Sequence, residues 1–504
     1  AVSGKNGPLG GIELGLSARL ATPPPALKRF FEAYPFVCLE QKTSVAIGLR
    51  DAARWQQVVE ALPTYLDANG LARYFPGEGA HNAGSPALTA YLLDASHAAG
   101  FAIAPELAQR MERGLAAFAE GRIKPEHWSP QNDLLARKLA AIEALTRRGH
   151  KPLSALSSLE VEPLRLPTSA LIDWYLVVKR LPGLPERPAK LAAAERELRN
   201  RLSYLGGRLV FTSERSDFWW WLMVSGDANA FRLIEAVLDD PAWKDDLPAL
   251  VQGAMLRQQR GRWLTTVANV WATIALDKFA RQFEGEAVSG NTRIALGALP
   301  MQNFAWPAND GKAADALDKL LLPWPGRPTP GDTLQLTHEG SGKPWAAMQI
   351  LAAVPVKEAR ANGFRVTREV TPVQEKLSGK VTRGDVWRVR LSVESDQEMS
   401  WVVLNDPIPA GARILGEGDG RDSRLAGLGE REGAKGVAWP TYVERTFSAY
   451  RAYYGYVPRG KFYIDYTLRL NNAGEFSMPA TRVEAMYAPE VFGEAPNAKV
   501  LVGE

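Results

Sequence analysis

A change of periodicity constrains this chain more than any other feature. From about Pro23 to Phe283 apolar residues recur at helical spacing, and from about Glu284 onward they alternate at strand spacing. Ser85-Pro86 reads as a serine cap with proline at the first helical position, ahead of Ala87-Leu88-Thr89-Ala90-Tyr91. Ser129-Pro130 repeats that signal before Leu135, Leu139, Ile142 and Leu145, and Gly149 follows as a stop. Thr168 is placed to cap the segment carrying Leu171, Trp174, Tyr175 and Val178. Further runs at roughly 104–118, 189–203, 229–239, 247–258 and 264–281 bring the expectation to about a dozen helices, arranged as a toroid, a layered bundle or an irregular all-α domain.

The later part alternates at Thr333–His338, Val386–Val393, Phe462–Leu470 and Thr481–Met486, with proline-rich punctuation at Leu322–Pro328. Short strands spaced by turns suit β-sandwiches. A strand-like opening, Gly11–Ser17, precedes the helical block, so the order is a little β, a large α block, then all β. That order predicts an α domain inserted into or set beside β modules.

Composition excludes several function classes. Among 504 residues, 60 basic and 56 acidic side chains nearly balance, which argues against a dedicated nucleic-acid binder, although a pI near 8.9 leaves room for a local basic patch. A single cysteine rules out an intrachain disulfide framework and a cysteine-rich metal site. No apolar run approaches the ~18 residues of a membrane span. The first residues carry no secretory signal, lack a methionine and read like mid-domain strand, so a fragment of a longer protein is expected.

The lone cysteine stands in Tyr34-Pro35-Phe36-Val37-Cys38-Leu39-Glu40-Gln41. By composition it is an inert buried thiol. As a catalytic nucleophile it would need a histidine, and none of His81, His97, His127, His150 or His338 sits in a protease-like signature. The spacing offers a third reading. Cysteine and glutamine three apart at a helix start share a face, so Sγ can reach the side-chain carbonyl carbon and, with loss of ammonia, form an internal thioester. Such an acyl–sulfur bond survives only where water is excluded.

Cys38-Leu39-Glu40-Gln41 resembles the thioester signature of the α2-macroglobulin/complement superfamily, and Tyr34-Pro35 with Leu39 resembles its bacterial α2-macroglobulin branch. Gly84–Tyr91 and Trp263–Asn269 resemble later helical blocks of that thioester domain. Pro479–Tyr487 followed by Pro489-Glu490 resembles the close of the C-terminal domain. The four blocks occur in family order. The resemblance implies a multidomain α and β fold, with an α/α toroid thioester domain (23–283) inserted in a CUB-like β-sandwich (1–22 and 284–356). A macroglobulin-like, receptor-binding-type β-sandwich (357–504) follows.

The same resemblance implies a broad-range protease inhibitor that traps proteases and acylates their lysine amines, each molecule acting once and not as an enzyme. Cys38 would be the thiol, Gln41 would supply the acyl carbon, and Tyr34 and Tyr487 would shield the bond. No cofactor or metal is implied beyond the thioester. Expected partners are target proteases and upstream macroglobulin domains, with no nucleic acid and a monomeric state. An upstream lipid anchor would hold the protein at the inner membrane, in the periplasm. Tyr454 and Tyr456 read as sandwich surface, and His150 as a solvated residue with no acyl-transfer role. Trp219-Trp220-Trp221 reads as toroid packing, since successive helical residues point ~100° apart. The alternatives are an α/α-toroid enzyme acting on a carbohydrate or terpenoid-like substrate, which needs paired acids in the toroid mouth, and a purely adhesive β module. Asp239-Asp240 and Asp245-Asp246 lie beside prolines and read as loop turns.

Overall fold

The computed structural model describes the chain apart from residues 1–2, 5–6, 9, 21–24, 79–81, 125–132, 213–218, 285, 298, 307–315, 323–332, 353–355 and 417–437. It divides into two compact units, residues 1–77 with 84–355, and 78–83 with 356–504.

The first unit holds the helices: α1 (Pro25–Glu32), α2 (Leu39–Gly48), α3 (Ala52–Ala61), α4 (Pro86–Ala99), α5 (Pro105–Ala119), α6 (Leu134–Arg147), α7 (Leu153–Ser157), α8 (Thr168–Arg180), α9 (Arg187–Asn200), α10 (Gly226–Val237), α11 (Leu247–Met255) and α12 (Thr266–Phe283). Packing contacts run α2–α4–α6–α8–α10–α12 and from α12 back to α2, so the even-numbered helices close a ring. Their burial agrees, because α8 is buried continuously from Thr168 to Val178 and α12 from Thr266 to Leu276. An inner helix meets neighbours on every side and reads apolar all round. The outer helices are amphipathic, and α3 buries only Trp55 and Val58. The helical block is therefore an α/α toroid.

Local signals explain most of the boundaries. Ser85 Oγ accepts the Leu88 N–H at 3.2 Å to cap α4, and Gly100 closes it in the left-handed region at φ 79°. Gly149, at φ 88°, follows α6 as the stop. The Ser129-Pro130 start signal lies outside the described residues. Thr168 is not a cap. It is the first residue of α8, and its buried hydroxyl accepts from Arg201 Nη1 at 3.1 Å. An inward arginine claims that hydroxyl, and Pro167 occupies the cap position instead.

Strands from both sides of the helical block join in the same unit. Gly10–Ser17 pairs antiparallel with Trp345–Ala352, in register from Ser17 opposite Trp345 to Gly10 opposite Ala352, and with Ala316–Leu322 on its other edge. A second three-stranded sheet places Ser289–Leu296 between Gln302–Trp306 and Leu334–Ser341. Leu14, Leu16, Val288, Ile294, Leu296, Trp306 and Leu322 form their common core.

The second unit is a β-sandwich of a six-stranded and a four-stranded sheet. In the four-stranded sheet Val386–Ser395 is central, paired with Phe364–Gln374 and Gly460–Arg469. In the other, Met399–Pro407 lies between Thr481–Ala485 and Ala449–Val457. A buried polar clamp links the two sheets. Arg368 Nε reaches both Asp406 oxygens at 3.1 Å, Tyr466 donates to Asp406 at 2.5 Å, and Tyr450 stacks on Tyr466 with centroids 4.4 Å apart. Tyr454 is core rather than surface, 1% exposed and packed edge-on against Phe462, whereas Tyr456 is exposed. Simple alternation fails here because Tyr453 and Tyr454 are both buried.

Candidate functional site

The site begins at the N-terminus of α2. Cys38 is extended at the N-cap position, φ −65° and ψ 164°, and its carbonyl accepts the first helical bond from Lys42 N–H at 3.0 Å. The Glu40 and Gln41 backbone N–H groups turn toward the cysteine sulfur. Gln41 reaches back in return, its Oε1 accepting the Cys38 N–H at 3.2 Å, so cysteine and glutamine form a reciprocal capping box. The first turn of a helix exposes donors that need acceptors. That need folds both side chains to the same end of α2.

Burial and aromatic neighbours complete the pocket. Cys38, Glu40 and Gln41 are each 0% exposed. Burial, and then the Glu40 charge, push the Cys38 thiol well above its ordinary value, so the sulfur is held as an uncharged group. Gln41 Nε2 donates to the Tyr34 hydroxyl at 3.3 Å. The half-buried Tyr34 ring sits edge-on between Phe30 and Phe36, at 5.2 and 5.6 Å. The close approach of α1 to α2 depends on Gly48, where an added Cβ would stand 2.2 Å from the Phe31 ring.

Glu40 ties three ring helices together. It accepts from Ser44 Oγ at 2.5 Å and from Thr266 Oγ1, on α12, at 2.8 Å. Ser44 in turn lies 2.7 Å from the Tyr91 hydroxyl of α4. The Trp263–Asn269 segment delivers Thr266. Thr265 caps α12, and Asn269 bridges the Trp263 N–H, its carbonyl and the Thr265 carbonyl at 2.7–3.0 Å. Sequence reasoning gave Glu40 local hydrogen bonding but missed Thr266 and Tyr91, although both fall inside the two helical blocks singled out earlier.

The other candidates belong to other elements. Tyr487 belongs to the second unit, buried at the turn between Thr481–Ala485 and Ala488–Ala495. His150 is exposed, as expected, and its Nε2 lies 2.9 Å from Glu112, which also pairs with Arg148. The tryptophan run is not α-helical. Trp220–Leu222 form a 3-10 turn, and half-buried Trp221 donates to Asp133 at 2.8 Å. Asp240 accepts from Tyr175 at 2.7 Å and Asp246 from Arg199 at 2.7 Å, as structural turn residues.

A buried ionic cluster fills the toroid axis. Arg147 pairs with Asp94, with Glu143 at 3.1 Å and with Glu235 at 2.8 Å. Arg180 also pairs with Glu143, and Arg232 with Asp173. A cavity of about 90 Å³ beside the cluster is lined by Asp94, Glu143 and Asp173, each already held by an arginine. A glycosidase-like pair of free acids is therefore absent from this cavity among the described residues. No group of metal-ligating side chains and no helix long and apolar enough to cross a membrane occurs among them either.

Known proteins share this fold. The bacterial α2-macroglobulin MG10 domain matches residues 363–490. An α2-macroglobulin homolog from Nostoc is 24% identical over 66% of this chain, and the chain spans 18% of that homolog's length. Native Escherichia coli α2-macroglobulin, from domain MG7 to its C-terminus, superposes with a TM-score of 0.68 at 18% identity, covering 99% of this chain and 78% of that one. Salmonella α2-macroglobulin reacted with methylamine gives 0.68 at 19% identity, covering 98% of this chain and 32% of that one. Residues 363–490 thus carry a bacterial α2-macroglobulin MG10 domain, and the chain as a whole shares the fold of the C-terminal part of bacterial α2-macroglobulins.

Proposed function

We propose that this chain is the thioester-bearing part of a bacterial protease trap, in which Cys38 and Gln41 close an internal thioester that acylates lysine amines of a captured protease. The observation that carries this reading is the reciprocal pairing of a fully buried cysteine and glutamine at one helix start. Closure consumes the Cys38 S–H and the Gln41 amide, forms the S–C bond and releases ammonia. Attack by an amine forms a new amide on Gln41 and returns the thiol. Each molecule reacts once, so the chemistry is inhibition without turnover.

The reading extends to the surroundings. Residues 23–283 would be the thioester domain, 1–22 with 284–356 a CUB-like domain, and 357–504 the terminal macroglobulin-like domain. Tyr34 and Tyr487 would shield the bond by covering it with flat apolar area. The trap would work as a monomer with upstream macroglobulin domains, in the periplasm and held at the inner membrane by an upstream lipid anchor. The Salmonella relative reacted with methylamine supports the reading by analogy.

Treatment with isotopically labelled methylamine followed by peptide mapping tests it. Label on Gln41 together with one new Cys38 thiol is expected. Absence of label at Gln41 in protein whose Cys38 is already a free thiol and whose Gln41 is still an amide would reject it.

A further inference from the structure

Resting on that reading, we propose that the Tyr34 hydroxyl is the nitrogen site of the thioester reaction, accepting hydrogen bonds from the ammonia that leaves on closure and from the amine that later attacks. The Gln41 amide beside the Cys38 thiol is the state before closure, and it is also what ammonia attack on the thioester would regenerate. By microscopic reversibility, Gln41 Nε2 marks where any entering amine nitrogen must sit.

Both polar ends of that amide are held. Oε1 accepts from the Cys38 backbone N–H at 3.2 Å, and Nε2 donates to Tyr34 at 3.3 Å. The Cys38 N–H is therefore placed to favour negative charge developing on the carbonyl oxygen. Positive charge develops on the nitrogen when a neutral amine adds to the acyl carbon, because its N–H groups stay on until the C–S bond breaks and a proton passes to sulfur. The Tyr34 oxygen faces that position. Phe30 and Phe36 pack the ring edge-on from two sides and so fix the direction of the hydroxyl.

Attack by hydroxide builds no positive centre at this position. The Tyr34 oxygen thus favours amines over hydroxide, which a purely covering ring would not do. A hydrogen bond to a charged group corresponds to about 10–100-fold in rate.

Tyr34→Phe keeps the aromatic cover and removes the oxygen. Thiol release would be followed against methylamine concentration, and alkaline hydrolysis against pH without amine, in both proteins. The expected result is a fall of about tenfold or more in the ratio of amine to hydroxide rate constants. A folded variant that retains the Cys38 thiol and Gln41 amide would also support the proposal, as a defect in releasing ammonia. A closed variant in which both rates are unchanged, or rise together, would overturn it and leave Tyr34 a shield. Wild-type protein that never carries a thioester would instead defeat the underlying reading, so the two failures are distinct.

Discussion

Thr266→Val probes the link between α2 and the rest of the ring. Valine matches the shape of threonine but cannot donate the 2.8 Å hydrogen bond to Glu40. Glu40 and Thr266 are 0% and 2% exposed, so water cannot easily replace the lost donor. A hydrogen bond to a charged group contributes about 1.5–3 kcal/mol, and the helical unit should lose about 2 kcal/mol on that scale. Urea unfolding followed by tryptophan fluorescence reads this as a lower midpoint at unchanged slope. Combining Thr266→Val with Ser44→Ala closes a cycle on the shared carboxylate. Because both donors bind Glu40, the double variant should depart from additivity by about 0.5 kcal/mol or more. A single-variant loss below about 0.5 kcal/mol, with strict additivity, would refute Glu40 as the tie between α2 and α12.

Three more perturbations follow from the packing. Gly48→Ala drives a methyl into the Phe31 ring, which should cost about 1–3 kcal/mol and loosen α1, read as faster proteolysis near Tyr34. Asp406→Ala strips the clamp of its acid and leaves Arg368 buried and uncompensated. The sandwich should lose about 3–5 kcal/mol by thermal unfolding, while a neutral result would mean that Arg368 finds another acceptor. Glu143 is held down to about 2, because the Arg147, Arg180 and Arg232 charges outweigh its burial. Its folded value lies below its unfolded value, so its stabilisation is present above about pH 4.5 and is lost as pH falls toward 2. Glu143→Gln should flatten the acid limb of the stability profile in that window, and an unchanged limb would contradict the pairing.

The helices were legible because apolar residues recur at helical spacing between caps such as Ser85 and stops such as Gly100 and Gly149, and the family resemblance implied their arrangement as a toroid. The Cys38–Gln41 pairing was legible because a three-residue spacing at a helix start puts both side chains on one face, and the resemblance of the motif chose between the readings that spacing left open. Long-range partners were not. Nothing local marks that Thr266 reaches Glu40, 226 positions away, or that Thr168 serves Arg201 instead of capping α8. The ionic axis was hidden as well, because Asp94, Arg147, Asp173 and Arg232 look like ordinary polar residues until ring closure brings them together. Tyr454 misled because two adjacent tyrosines of one strand are both buried.

The most direct measurement of the central claim is the intact mass of freshly prepared protein beside a thiol titration. The account predicts a mass one ammonia below that of the sequence and no titratable thiol. Methylamine should then add one methylamine and free Cys38. A closed and later hydrolysed bond would leave glutamate at position 41. The full sequence mass, with a titratable Cys38 and an intact amide on Gln41, would contradict the claim.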